Sequence, residues 1–205
     1  MTIKKEPAYL AHLSKDKKLA ALLGKAPEKK LVKRRNVTLH LMSSVMSQQL
    51  STKVAKVIYN RFLDLFGGKE PAPEQVAEMP FDELRAIGLS NAKTHYIQNI
   101  ARYAMEHDMS DKALYKMTDE EVKDFLLPIK GVGKWTVEMI LMFALRREDV
   151  FAVDDLGIQQ AMIQLYKLDT TDKKALREKM LKISGKWSPY RTYACLYLWE
   201  HKDGS

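Results

Sequence analysis

The 205-residue chain contains one cysteine, Cys195. A single thiol excludes an intrachain disulfide, an all-cysteine zinc site and a four-cysteine iron–sulfur cluster. Cys195 lies in an apolar helical run and reads as a packing residue. Long apolar runs are also missing. None could span a bilayer, so no membrane partner is expected. The opening stretch, MTIKKEPAYLAHLSKDKK, has no apolar core of the kind a signal peptide needs, and a cytoplasmic location is expected. Alternating strand patterns, internal repeats and low-complexity tracts are absent as well, which leaves helical periodicity as the dominant signal.

What is present is ordinary in bulk and unusual in charge. Apolar residues make up 46% and charged residues 29%, as in a soluble globular protein. The net charge is +8 and the pI about 9.4, which favours a polyanionic partner. The length suits one large domain or two subdomains sharing a core. Roughly ten helices are expected, with short loops. Ser51 opens a segment whose apolar positions are Val54, Ile58, Phe62 and Phe66, closed by Gly67–Gly68. Ser90 can cap the helix that follows it. Thr118 with Glu121 makes a capping box, Asp155 can cap Leu156 to Tyr166, and Ser188–Pro189 reads as an N-cap and first helical residue. Residues 25–35, KAPEKKLVKRR, hold six basic residues outside the expected core; they fit a solvated linker or a nucleic-acid contact equally well.

Four segments could carry chemistry. In Ile129-Lys130-Gly131-Val132-Gly133-Lys134-Trp135-Thr136 the glycines allow successive N–H groups to point one way, and a helix begins near Gly133. A phosphate could sit there beside Lys130 and Lys134, with no base being read; a plain helix–turn–helix connection would need the same glycines. Asp154–Asp155 follows an apolar run. A carboxylate opening a helix is stabilised as an anion, which fits a helix cap and equally a group that stabilises a developing cation. Met46-Ser47-Gln48-Gln49-Leu50-Ser51 places two amides between helices, as caps, as surface groups, or as fillers of the space a base leaves in a duplex. Trp187-Ser188-Pro189-Tyr190-Arg191 leads to Trp199. Such aromatics are usually core, and they also make stacking walls for an electron-poor base.

These segments, in this order, resemble the helix-hairpin-helix DNA glycosylase superfamily, and within it the 3-methyladenine DNA glycosylase II family. The phrases that carry the resemblance are SQQLSTKVA at 47–55, GLSNAKTHYIQNIA at 88–101, IKGVGKWTVEM at 129–139, VFAVDDLGI at 150–158 and WSPYRTYACLYLW at 187–199. The resemblance implies an all-α fold of two helical subdomains with a central cleft, with no β domain and no iron–sulfur cluster. Across 1–205 it implies a single glycosylase domain, with one subdomain at about 36–127 and the other formed by about 1–35 and 128–205. The family's catalytic aspartate stands twenty residues beyond the aromatic position after the hairpin; counted from Trp135, that is Asp155, with Asp154 beside it. Gln49 matches the position that wedges into the emptied stack, with Gln48 adjacent. Trp135, Trp199 and Tyr190 match the substrate pocket. Gln48, Gln49, Lys130, Gly131, Val132, Gly133, Lys134 and Thr136 are expected at DNA. The main-chain carbonyls of Leu127, Ile129 and Val132 match a monovalent-cation site; no other cofactor is required.

Relatives that also cut the strand carry a lysine nucleophile at the position of Trp135. Without that amine no Schiff base forms there, so a monofunctional glycosylase is expected. The expected activity is hydrolytic release of alkylated purines, of the 3-methyladenine and 7-methylguanine class, from double-stranded DNA containing damaged bases. The protein would act as a nucleoid-associated monomer at the start of base excision repair. The alternatives are the same scaffold acting on hypoxanthine, uracil or 8-oxoguanine, and a non-catalytic DNA-binding module that uses the hairpin alone.

Overall fold

The computed structural model describes residues 6–203; the first five residues of the N-terminal stretch considered above lie outside them. Among the described residues the chain forms thirteen α-helices and no strand. In order these are α1 (Ala8–Leu13), α2 (Lys17–Leu23), α3 (Val37–Ser47), α4 (Thr52–Asp64), α5 (Pro73–Glu78), α6 (Phe81–Ala86), α7 (Asn91–Glu106), α8 (Asp111–Lys116), α9 (Asp119–Leu126), α10 (Lys134–Met139), α11 (Leu156–Tyr166), α12 (Lys173–Ser184) and α13 (Arg191–Asp203). Helix α10 runs on into a π-helical turn, Ile140–Ala144. None of them is long and apolar enough to cross a membrane.

The contacts divide the chain into two compact units, Val32–Leu145 and Met1–Leu31 with Arg146–Ser205. The expected division at 127–128 would have put the hairpin with the terminal unit. The contacts instead keep 128–145 with the middle unit, because α10 and its π turn pack on α3.

In the middle unit, α3 supplies the buried residues Leu41, Met42, Val45 and Met46, packed against α7, which contributes Ile97, Ile100 and Ala101. Each fully buried aliphatic side chain contributes about 1.5–3 kcal/mol. The start of α3 is held from outside: both carboxylate oxygens of Asp111 accept N–H groups, from Val37 at 2.8 Å and Asn36 at 2.9 Å. Ser51, Ser90 and Thr118 cap α4, α7 and α9 as expected, and the Thr118–Glu121 box is complete. The apolar face of α4 is narrower than its sequence suggests. Ile58 and Phe62 are buried, whereas Val54 is 45% exposed.

In the terminal unit, α2, α11 and α13 bury Leu19, Ile158, Ala161, Met162, Ala194, Cys195 and Leu198. Tyr9 of α1 stacks on Tyr193 with ring centres 4.0 Å apart. Asp16 caps α2 and is itself a hub. One oxygen accepts from the N–H groups of Lys18 and Leu19, the other from Tyr166 Oη at 2.7 Å and Trp187 Nε1 at 3.1 Å.

Two local expectations are corrected. Helix α13 opens at Arg191 rather than after Ser188. The Ser188 hydroxyl donates to Asp149 Oδ2 at 2.7 Å instead of capping, and Asp149 itself accepts the Arg191 N–H and its guanidinium. The basic segment at 25–35 is not merely a solvated linker. Leu31 is buried, the Lys29 N–H donates to Tyr9 Oη at 2.8 Å, and Arg34 pairs through its backbone with Ala144.

Candidate catalytic carboxylate and DNA-binding hairpin

The hairpin in the middle unit is fixed by packing on one side and open on the other. After α9 the chain turns tightly, with the Ile129 N–H donating to Leu126 O and the Val132 N–H to Ile129 O. Ile129 and Val132 point into the core, while Lys130, Gly133 and Lys134 are exposed. The two glycines do different work. Gly131 has φ +102°, and a Cβ there would fall 2.1 Å from Cγ of Tyr96. Only glycine fits, because the turn presses its backbone onto that ring. Gly133 has φ −99°, and a Cβ there would meet nothing within 4 Å. Nothing inside the protein requires it; what its missing side chain leaves open is the outer approach to the start of α10, where the helix presents its N–H groups and positive end.

The turn after α3 lies in the same unit. Gln48 and Gln49, similar in sequence, part company here. Gln48 is half-buried, and its Nε2 donates to the Thr136 hydroxyl at 3.0 Å, tying the turn to α10. Thr136 is buried, so its expected place at DNA is not filled by an exposed side chain. Gln49 is exposed and has φ +59°, a left-handed conformation costly for a non-glycine residue and concentrated at functional sites. Lys93 braces the turn: its Nζ donates to Met46 O at 2.9 Å and Gln48 O at 2.6 Å, and burial holds its pKa below the usual lysine value. Lys93 and Tyr96 stand in the phrase at 88–101, but their roles are not legible there, since each acts on a residue over thirty positions away. Trp135, in the first turn of α10, is half-buried.

The acidic pair lies in the terminal unit, where the two members separate. Phe151, Ala152 and Val153 are buried and anchor the approach. The loop closes with the Asp155 N–H on Ala152 O, and Gln159 Nε2 donates to Val153 O at 2.9 Å. Asp155 caps α11, its Oδ1 accepting the Ile158 N–H at 2.9 Å. The same oxygen accepts the indole N–H of Trp199 at 2.8 Å. Asp154 is exposed and ion-paired with Arg177, whose Nε lies 3.1 Å from Oδ1. Both carboxylates accept two hydrogen bonds, but those of Asp154 come from one exposed guanidinium, whereas Asp155 is the capping member and takes a backbone N–H and an indole N–H from two different helices. Trp199, expected as a stacking wall, has its edge committed to the carboxylate. Tyr190 sits elsewhere in this unit, with its ring edge-on to His12 at 5.6 Å and to Tyr193 at 6.2 Å. Gly157, marked in the sequence only by its place in VFAVDDLGI, lies against both Asp155 and Trp199; a Cβ there would be 3.1 Å from Trp199 Cδ1 and 3.2 Å from Asp155 Oδ1.

Comparison with known proteins fits this geometry. Residues 42–186 match the model of the HhH-GPD superfamily base excision DNA repair protein. A putative DNA-3-methyladenine glycosylase of Bacillus subtilis is 36% identical over 78% of this chain, which spans 56% of that relative's length. DNA-3-methyladenine glycosylase 1 of Schizosaccharomyces pombe is 34% identical over 97% of this chain and 87% of its own. Among solved structures, an S. pombe 3-methyladenine DNA glycosylase in complex with abasic DNA superposes with a TM-score of 0.85 at 32% identity, covering 96% of this chain and 97% of that one. With an all-helical fold, the hairpin and the capped aspartate in place, this chain belongs to the HhH-GPD superfamily of base excision DNA repair proteins.

Proposed function

We propose that this chain is a monofunctional DNA glycosylase that releases alkylated purines, of the 3-methyladenine and 7-methylguanine class, from duplex DNA as a monomer. The observation that carries the reading is Asp155, an anion fixed by Ile158 N–H and Trp199 Nε1 in a chain whose relatives bear 3-methyladenine glycosylase names. A non-catalytic binding module would need Asp155 only as the cap of α11, where a neutral serine or threonine would serve without repelling a polyanion.

The chemistry follows from the charges. The damaged nucleotide leaves the stack. The C1′–N bond breaks and the base departs with the electron pair; an N-alkylated purine is cationic beforehand and leaves neutral, so no general acid is needed. Positive charge grows on the sugar, and Asp155 stabilises it. A water oxygen then bonds to C1′ and its proton is lost to Asp155 or solvent. An indole face, of Trp135 or of Trp199, would attract a cationic base. Gln49 fills the emptied position while Gln48 holds the turn. Lys130, Lys134 and the Gly131-Val132-Gly133 backbone take a phosphate. A monovalent cation at the carbonyls of Leu127, Ile129 and Val132 would complete that grip. Ile129 O accepts one N–H, from Val132, and a carbonyl oxygen has a second lone pair to offer.

Wild type and Asp155→Asn, incubated with duplexes carrying single defined lesions, test the reading through free base and abasic sites. Release by wild type alone, with DNA binding kept in both, is expected. Equal release by the two proteins would remove Asp155 from the mechanism. Release of hypoxanthine, uracil or 8-oxoguanine in place of methylated purines would reassign the substrate. Strand nicking without added alkali would contradict monofunctional action.

A further inference from the structure

We infer that Gly157 is a positioning residue for this reaction, acting through Trp199, an inference that rests on the glycosylase reading above. Gly157 is the second residue of α11 and its φ is not in the left-handed region, so no backbone strain requires glycine there. A glycine in a helix lowers its stability relative to alanine. Something outside the backbone must explain it, and the space over Gly157 is filled by the Trp199 indole. A Cβ would meet Trp199 Cδ1 at 3.1 Å, Asp155 Oδ1 at 3.2 Å and Trp199 Nε1 at 3.3 Å. These are the two ends of the 2.8 Å hydrogen bond and the carbon next to the donor. With a side chain at 157 the indole would have to give by a few tenths of an ångström to keep that bond.

The consequence is functional rather than structural. Trp199 N–H and Ile158 N–H converge on Oδ1 from different elements, α13 and the first turn of α11. Together they fix the rotation of the Asp155 carboxylate. A charge-stabilising group must be held where charge develops, and displacements of a fraction of an ångström count there. A methyl group at 157 would displace the indole by a few tenths of an ångström and weaken one of the two restraints. Helix α11 would keep its fold, because alanine favours a helix.

Single-turnover base release by Gly157→Ala is the test, with Trp199→Phe and the double variant measured beside it. Gly157→Ala is expected to release base about tenfold more slowly, as for a weakened charged hydrogen bond, with DNA affinity unchanged and a melting temperature at or above wild type. In the Trp199→Phe background, which lacks the donor, Gly157→Ala is expected to cost markedly less, leaving only what its own approach to Asp155 Oδ1 imposes. Wild-type release by Gly157→Ala, or a loss fully retained in the Trp199→Phe background, would overturn the inference. If the wild-type protein released no base from any lesion duplex, the glycosylase reading would fail by itself. The placement of the indole would then be decided by the Trp199 Nε1–H proton resonance, assigned by its loss in Trp199→Phe. A shift in Gly157→Ala supports the contact; an unmoved resonance overturns it.

Discussion

Gly131→Ala probes the hairpin most sharply, because its cost can be worked from the geometry. A new Cβ would sit 2.1 Å from Cγ, 2.4 Å from Cδ1 and 2.5 Å from Cβ of Tyr96, all far inside van der Waals contact. One of those atoms is the Tyr96 Cβ, which a change of rotamer cannot move. The backbone or the helix carrying Tyr96 must shift. Overpacking of this kind costs about 1–3 kcal/mol, and placing alanine at φ +102° adds about 1–3 kcal/mol. The expected destabilisation of the middle unit is therefore about 2–6 kcal/mol, or a fall of roughly 5–20 °C in the melting temperature. Thermal unfolding followed by helical circular dichroism, backed by urea titration, measures it. Tyr96→Gly in the Gly131→Ala background removes all three clashing atoms and should recover the part of the loss due to contact, but not the part due to φ. Gly133→Ala is the control within the same motif. It has room, so folding should change by less than about 1 kcal/mol, while duplex affinity falls because the new methyl stands where a phosphate would approach. An unchanged melting midpoint in Gly131→Ala, or a Gly133→Ala protein that unfolds while Gly131→Ala does not, would refute this division of labour.

Four further outcomes are expected. Asp154→Asn should keep base release near wild type and cost at most about 1 kcal/mol of stability, since its exposed pair with Arg177 is worth little; a release defect as deep as that of Asp155→Asn would contradict the assignment. Gln49→Gly should relieve the left-handed strain at 49 and raise the unfolding free energy by about 1 kcal/mol, yet slow base release by leaving the emptied position unfilled; a stabilised variant with wild-type release would remove Gln49 from the mechanism. Burial raises the Asp16 pKa, but hydrogen bonds from Tyr166, Trp187, Leu19 and Lys18 outweigh it and hold the carboxyl below its ordinary 3.8. A depressed folded-state pKa stabilises fully above the unfolded value and is lost as pH falls through the lowered one. Wild type should therefore lose more stability than Asp16→Asn below about pH 4, by acid titration of the melting temperature. Duplex affinity should fall as salt rises, through counterion release; a flat titration by fluorescence anisotropy would count against phosphate contacts at the hairpin.

The sequence by itself made the helical class, most helix caps and the candidate chemistry-bearing residues legible. Caps are local: Ser51, Ser90, Thr118 and Asp155 each accept an N–H group three residues onward, so each could be read from a short window. The hairpin glycines and the Asp154–Asp155 pair were visible for the same reason, as was the buried Cys195. Tertiary structure decided everything that turns on who meets whom. It made Asp149 rather than Ser188 the acceptor at the start of α13, because the Arg191 side chain and N–H converge on one carboxylate. It put the hairpin with the middle unit through the packing of α10 on α3. Gln48 was separated from Gln49 by a hydroxyl 88 positions away, and Asp155 from Asp154 by an indole in one case and a guanidinium in the other. Two adjacent residues of one type are equivalent to any sequence window. They become different only when long-range partners arrive, and those partners are set by the packing of helices whose order along the chain does not give their order in space.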